Sequence, residues 1–248
     1  MEVLGIDVGA TGIKGSLVDV NTGSLIGEKI KIKTPTPATP DAITSCIREI
    51  IQRLNWQGKP VGIGFPAIIK EGICYSASNI DAAFLNFPVQ KYLEENLGAK
   101  VKVVNDADAA GVAEMTFGKG KEHDAKMIIL ITLGTGIGSA IFYNGQLIPN
   151  SELGHLLYKK SVFEKYASNS AREIKGLSWK AWGQELNVYI NHLCHLFSPD
   201  LILIGGGVSK HFAKYGPFLE VPCRVETARL LNEAGIIGSA MHVKLSLS

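Results

Sequence analysis

Apolar residues fall at every second position through much of "VLGIDVG", "IKGSLVDV" and "SLIGEKIKI", the spacing of half-buried strands, and glycine-bearing turns separate the three runs. They predict a β-meander. The rhythm then breaks at "TPTPATP", residues 34–40, because proline cannot donate to a strand ladder. Thr39 and Pro40 supply an N-cap and a first-turn proline for a helix over "PDAITSCIREIIQRL", in which Ile43, Ile47, Ile50, Ile51 and Leu54 share one face. The continuous apolar runs "PVGIGFPAII" and "VKVVND" read as buried strands, with a helix near "VQKYLEENLG" between them. Further on, the pattern predicts a helix over "NDADAAGVAEMTFG", a strand pair in "MIILITLGTGIGSAIFY" and a long helical region from Ser161 to His195. A strand running into a glycine turn follows at "PDLILIGGGVS", and "LLNEAGIIGSAMHV" closes the chain as a helix. Strands and helices alternate, which is the mixed α/β pattern.

One internal repeat organises the rest. "IDVGATGIKGSLVDVNTGSLI" from Ile6 and "ITLGTGIGSAIFYNGQLI" from Ile131 follow a single plan: strand, glycine turn carrying a threonine, strand, turn containing Asn, short apolar strand. The expectation is two similar lobes whose hairpin tips face one another.

Composition narrows the function. The 248 residues, 46% of them apolar, suffice for two cores. The 25 basic and 23 acidic residues leave +2, with no basic stripe, so no nucleic-acid partner is expected and any anion must be met locally. The longest apolar stretch, from Met127, is short for a membrane span and carries Gly134, Gly136 and Gly138. No export signal precedes the first strand, and Cys46, Cys74, Cys194 and Cys223 form no CxxC pair. These features point to a cytoplasmic protein with reduced thiols, no membrane association and no zinc knuckle.

The glycine turns are where chemistry enters. In "GATGIKG" (Gly9, Thr11, Gly12) and "GTGIGS" (Gly134, Thr135, Gly136), unshielded amides can converge on phosphate oxygens, or the glycines can simply close hairpins. Neither a GxxxxGK[ST] P-loop nor a GxGxxG fingerprint occurs. Asp7, at the entry to the first tip, is either a Mg²⁺ ligand or a turn-former. Lys14, at the return, either steadies a phosphoryl group or is solvated. Gly205, Gly206 and Gly207 follow "LILI" directly, a strand-end placement suited to a nucleotide or polyanion. In "VKVVNDADAAG", Asp106 is a helix cap or a proton acceptor, and Asp108 lies one step into the helix as a cap or supporting group. Glu152 and His155 in "SELGH" read as a metal pair, a helix-surface pair or sugar ligands, with metal the poorest because no third His or Cys is near.

"IDVGATGIKG", "NDADAAG", "ITLGTGIGS", "SELGH" and "LIGGGVS", in that order, resemble the ROK (repressor, open reading frame, kinase) family of sugar kinases over nearly the whole chain. With "TPTPATP", "NGQLIPNSELGHL" and "NEAGIIGSAM", the likeness is closest to the polyphosphate-using glucokinases. The resemblance implies an actin-like (sugar kinase/heat-shock ATPase) α/β fold of duplicated ribonuclease H-like lobes around a central cleft. Its N-terminal lobe would be 1–105, its C-terminal lobe 106–248, and the closing helix, about 230–246, would pack back on the first lobe.

The implied reaction moves a phosphoryl group from polyphosphate, and from ATP, to the 6-hydroxyl of glucose, with Asp106 as base. Asn79, Asn105, Glu152, His155 and Glu164 would hold the sugar, with Asp81 in the same loop as Asn79. The glycine turns, Lys14 and Mg²⁺ on Asp7 would hold the phosphates, and the enzyme would be a homodimer. Residues Leu156 to Phe163 contain no cysteine where the wider family has a zinc motif, so no structural zinc is expected; Ala67 in "GFPAI" replaces a usual glycine. Lys119, Lys121, Lys210 and Lys214 are candidates for a polyanion path or are solvated surface lysines. Rival readings are an ATP-only hexose kinase, a chaperone-like ATPase and a sugar-responsive regulator, the last disfavoured by the lack of a helix-turn-helix ahead of the first strand.

Overall fold

The computed structural model describes residues 1–78, 80–123 and 125–246, so Asn79 lies outside the described residues. The chain forms two compact units: Met1–Ala113 together with the chain from Glu233 on, and Glu114–Asn232.

The first unit begins with the meander β1 (Glu2–Val8), β2 (Ile13–Asp19) and β3 (Ser24–Ile32), followed by α1 (Pro40–Arg53) and β4 (Val61–Phe65). A small hairpin, β5 (Ile69–Lys70) and β6 (Ile73–Cys74), precedes α2 (Val89–Leu97), β7 (Val101–Asn105) and α3 (Asp106–Phe117). The Thr39 side chain accepts the amide of Ala42 and so caps α1, and Ile43, Ile47, Ile50 and Ile51 pack with Leu4, Ile6 and Ile63 of the sheet. Strand order is β3-β2-β1-β4-β7. The meander pairs are antiparallel, while β1–β4 and β4–β7 are parallel.

The second unit repeats this plan. It contains β8 (Met127–Leu133), β9 (Ile137–Tyr143), β10 (Gln146–Ile148), the short pair β11 (Leu157–Tyr158) and β12 (Ser161–Val162), α4 (Glu164–Ala167), α5 (Asn169–Ile174) and α6 (Trp179–Phe197). It then adds β13 (Leu201–Gly205), α7 (Phe212–Tyr215) and β14 (Arg224–Thr227). The order β10-β9-β8-β13-β14 has the same succession of antiparallel and parallel pairs as the first sheet. The repeat seen in sequence is therefore a duplicated five-stranded sheet.

The helical region expected from Ser161 to His195 is broken into pieces. Ser161 and Val162 are strand, Ser168 ends α4 and caps α5, Gly176 takes φ 60°, and Ser178 caps α6. Past that strand, each interruption is a capping side chain or a left-handed glycine, which an overall 3.6-residue periodicity does not reveal. The apolar face of α6, Trp182, Leu186, Tyr189, Ile190 and Leu193, packs on Ile129, Ile131, Ile202 and Ile204.

The chain re-enters the first unit as α8 (Ala234–Leu245), which packs on β1, β4 and β7. Its apolar residues run all round the helix, and glycines bring the backbones into contact. A Cβ at Gly62 would lie 1.8 Å from the Ser239 carbonyl oxygen, and one at Gly238 would lie 1.7 Å from that of Ala109. Among the described residues, no helix is long and apolar enough to cross a membrane.

Candidate active site

In the first unit, β7 ends on Asn105, whose Oδ1 accepts the amides of Ala107 at 2.9 Å and Asp108 at 3.0 Å while its Nδ2 donates to the Ala67 carbonyl at 3.1 Å. Asn105 is thus the residue that caps α3, a role the sequence had offered to Asp106. Asp106 is the first residue of the helix, half-buried, with Oδ1 accepting the Ala107 amide at 2.8 Å. Asp108 is buried one step further in. Both acids lie in the first turn, where the helix dipole favours negative charge. Asp81 caps a single helical turn, Ala82–Phe84, through the amide of Ala83.

The first glycine tip joins β1 to β2. Its Gly9 amide donates to the Gly12 carbonyl at 3.2 Å, the Gly9 carbonyl accepts the Thr34 hydroxyl at 2.6 Å, and Thr11 is exposed. Asp7 and Lys14 are register partners across β1 and β2, and their side chains meet at 3.0 Å with 16% and 26% exposure. Lys31 stands opposite Lys14 on β3, and its Cε lies 2.9 Å from where a Gly12 Cβ would be. Sequence reading missed Lys31. The alternation of the meander held the signal, but the pairing of β3 on β2 shifts between Gly15 and Leu17, which hides the register.

Asp7, paired with Lys14, is the carboxylate at the first tip that could hold Mg²⁺. A Cβ at Gly235, just inside α8, would lie 2.9 to 3.2 Å from the Asp7 carboxyl group, so glycine is what lets α8 approach that carboxylate so closely. Mg²⁺ commonly takes one or two protein carboxylates, with phosphate oxygens and waters completing its shell. Among the described residues no group of three or more His, Cys, Asp or Glu could hold a metal, and a single anchoring carboxylate does not require one.

In the second unit, the loop between β8 and β9 is closed by the Gly134 amide donating to the Gly136 carbonyl at 3.1 Å, leaving Thr135 exposed. The third glycine cluster lies against it. Gly206 has φ 80°, and a Cβ there would fall 2.5 Å from the Leu133 carbonyl oxygen, so both conformation and space require glycine. Gly207, beside it, is exposed. Among the glycines assigned to the phosphate turns, Gly206 alone adopts positive φ; a Cβ would be crowded at Gly9 and Gly12 and would meet nothing within 4 Å at Gly134 and Gly207.

The same unit gathers Glu152, His155 and Glu164. His155 sits between the two carboxylates, with Nδ1 3.8 Å from Glu152 and Nε2 3.8 Å from Glu164; Glu164 is 6% exposed and also meets Lys165 at 3.1 Å. The segment is fixed to β9: the Ser139 hydroxyl donates to the Ser151 carbonyl and accepts the Leu153 amide. Burial pushes the Glu152 carboxyl above the usual carboxylate range; the His155 charge opposes this and the Glu164 charge adds to it. Burial and the Glu152 charge together hold the Tyr189 phenol well above its ordinary value. Two acceptors and an imidazole in one patch match the alternating donors and acceptors of a polyol.

Of the lysines considered for a polyanion path, Lys119 is already paired with Glu122 at 3.0 Å and Glu226 at 3.8 Å. Lys121, Lys210 and Lys214 are exposed. Glu114, which the sequence reading passed over, is 1% exposed; its carboxylate accepts the amides of Lys119, Arg229 and Leu230.

The ROK family matches residues 3–171 of the chain. Among curated relatives, the polyphosphate glucokinase of Mycobacterium tuberculosis is 40% identical over 238 residues, which is 96% of this chain and 89% of that protein. The polyphosphate glucokinase of Mycobacterium leprae is 38% identical, covering 96% of this chain and 73% of that protein. Among solved structures, the inorganic polyphosphate/ATP-glucomannokinase of Arthrobacter sp. strain KM superposes with a TM-score of 0.95 at 43% identity, covering 99% of both chains. A ROK family glucokinase from Streptomyces griseus, solved with glucose and AMPPNP, shares the fold at TM-score 0.79 and 24% identity, covering 97% of this chain and 98% of that one.

Proposed function

The chain belongs to the ROK family, and on that premise we propose that it transfers the terminal phosphoryl group of inorganic polyphosphate, and of ATP, to the 6-hydroxyl of glucose. The observation that carries this reading is the likeness to polyphosphate glucokinases at 40% identity over 96% of the chain, joined by a TM-score of 0.95 to a polyphosphate/ATP-glucomannokinase.

Asp106, at the start of α3, accepts the proton of the sugar hydroxyl as that oxygen bonds to phosphorus and the bond from phosphorus to the bridging oxygen of the donor breaks. Phosphoryl transfer through a loose transition state asks mainly for positioning and charge neutralisation. The turn amides other than those of Gly9 and Gly134, with Lys14 and Lys31, meet that need. Asp7 is the residue that would hold Mg²⁺, which when bound neutralises phosphate charge.

Glu152, His155 and Glu164 hold hydroxyl groups of the hexose. A sugar lacking one of those hydroxyls leaves a buried polar group unpaired, at a cost of roughly 1–3 kcal/mol. Asn79 stays in the proposal as a sugar contact on the strength of the family resemblance. The reading also includes a homodimer and a cytoplasmic setting, the latter supported by four free cysteines.

The test is glucose-dependent formation of glucose 6-phosphate with purified protein, using polyphosphate and ATP separately, with Mg²⁺ and with chelator. Product from both donors, dependent on Mg²⁺, supports the reading. Product from ATP alone leaves the ATP-only hexose kinase in its place.

A further inference from the structure

Beside the glycine turns of the second unit, cations gather around one tryptophan. The Arg172 guanidinium of α5 lies 4.2 Å from the ring centroid of Trp179, the first residue of α6. The Lys214 ammonium of α7 is 5.5 Å from the same centroid, and the His211 ring is 5.2 Å away, inclined at 48°. Lys210 precedes His211 in the single turn Ser209–His211.

A closed circuit of short contacts ties this cluster to the glycine turns. Gly206 abuts Leu133, and the neighbouring Gly134 carbonyl accepts the Ser170 amide at 3.1 Å, which fixes α5 and its Arg172 to the β8–β9 tip. Trp179 links Arg172 to His211 and Lys214. Ser209 completes the loop, its hydroxyl at 2.7 Å and its amide at 3.2 Å from the Gly206 carbonyl oxygen. The tryptophan is itself held by Tyr215, stacked at 6.1 Å, and Trp182, edge-on at 5.9 Å.

The charge here is not cancelled locally. Arg172 meets Glu173 at 3.2 Å, but among the described residues no ion pair joins Lys210, His211 or Lys214 to a carboxylate. Burial, and then the charges of Lys210, Lys214 and Arg172, hold the His211 imidazole below its usual range, as expected where cations crowd without an anion. The ring of Trp179, already surrounded by Arg172, His211, Tyr215 and Trp182, is poorly suited to stack a nucleotide base.

We propose that Arg172, Lys210, His211 and Lys214 form a subsite for the trailing phosphates of a linear polyanion whose reacting end lies at the glycine turns. This rests on the function proposed above and names what distinguishes the two donors. Polyphosphate carries a charge on every unit beyond the reacting end, whereas ATP continues into ribose and base. The charges of Arg172, Lys210 and Lys214 beside the turns therefore contribute to the first donor far more than to the second.

The decisive variant is Lys210→Glu/Lys214→Glu, with Lys210→Ala/Lys214→Ala as the milder form; both side chains are exposed. kcat/KM is measured with long-chain polyphosphate, tripolyphosphate and ATP at saturating glucose. The expected result is a fall of about tenfold in the ratio of long-chain polyphosphate to ATP for the charge reversal, and a smaller fall for the alanine pair. The advantage of long chains over tripolyphosphate should shrink in parallel. An unchanged ratio in variants that still phosphorylate glucose, or equal losses with all donors, overturns the subsite while leaving the function standing. A wild-type protein that uses ATP and not polyphosphate overturns both.

Discussion

Asn105 donates from Nδ2 to the carbonyl of Ala67 across 3.1 Å, so the loop after β4 and the start of α3 are held by one side chain. The other end of that side chain caps the helix through the amides of Ala107 and Asp108. Asp106, which directly follows Asn105 in sequence, therefore has its position set by a neighbour that is fixed at both ends. Asp106→Asn is expected to lower kcat by about 10²–10⁴ with glucose affinity nearly retained, read by steady-state kinetics and a glucose titration. Asn105→Ala should cost about 1 kcal/mol of stability through the lost cap and lower kcat less than the aspartate variant does. Retained turnover in Asp106→Asn would remove it from the base role.

If Glu152 holds a hexose hydroxyl as proposed, it links sugar binding to stability. Burial raises its carboxyl above the unfolded value, so the folded protein takes up this proton more readily than the unfolded chain does. The stabilising contribution is complete below the ordinary carboxylate value and is lost as pH rises through the raised one. Glu152→Gln should therefore melt at a higher temperature than the wild type at pH 7 without glucose. Its KM for glucose should rise by about tenfold, since an amide is a poorer acceptor for a hydroxyl than a carboxylate. Thermal melts with and without glucose separate the two effects; a variant that loses stability at pH 7 contradicts the argument.

Local signals carried most of the elements into view. Thr39 and Pro40 mark the start of α1 because capping and fixed φ act within one turn, and the repeated strand–turn–strand plan announces the duplicated sheets. What escaped depends on register or on contacts distant in sequence. Lys31 stands opposite Lys14 only because β3 pairs with β2 in a shifted register, and Trp179 meets Arg172 and Lys214 only once α5, α6 and α7 are packed. The cap on α3 falls to Asn105 because its carbonyl reaches the amides while its amide finds Ala67, a partner 38 residues away.

Gly238 marks the tightest approach of α8 to α3. A methyl group there would meet the Ala109 carbonyl oxygen at 1.7 Å, and backbone cannot yield as a flexible side chain does. Gly238→Ala is expected to cost about 2–4 kcal/mol, seen as a lower urea midpoint with an unchanged slope. An unchanged midpoint would mean that the helix can shift to admit the methyl group.

Glu114 acts as a clasp for the second unit. Its carboxylate accepts three backbone amides, two of them at Arg229 and Leu230, more than a hundred residues further on. Glu114→Ala leaves those amides without their acceptor and should lower stability by about 3 kcal/mol. Hydrogen exchange at Arg229 and Leu230 should accelerate more than exchange in β1. Equal protection in both places would deny the clasp its role.

The last expectation concerns acid. His242 lies on the buried length of α8, where burial first, and then the charge of Lys102 on β7, bring its imidazole down to about 4. An exposed histidine in the unfolded chain titrates near 6.5. Above that value both states are neutral at this position and the group makes no difference. As pH falls, the unfolded chain takes the proton while the folded protein does not until about pH 4, so stability declines across that window, by on the order of 3 kcal/mol. Carboxylates also titrate at the lower end, and the comparison that isolates His242 is the difference in urea unfolding free energy between wild type and His242→Gln at pH 7 and pH 4.5. The variant should lose less stability than the wild type over that interval, because its amide takes no proton in either state. Equal losses would show that the imidazole gains its proton in the folded protein as readily as in the unfolded chain, and the packing of α8 against β7 would then have to admit a charge.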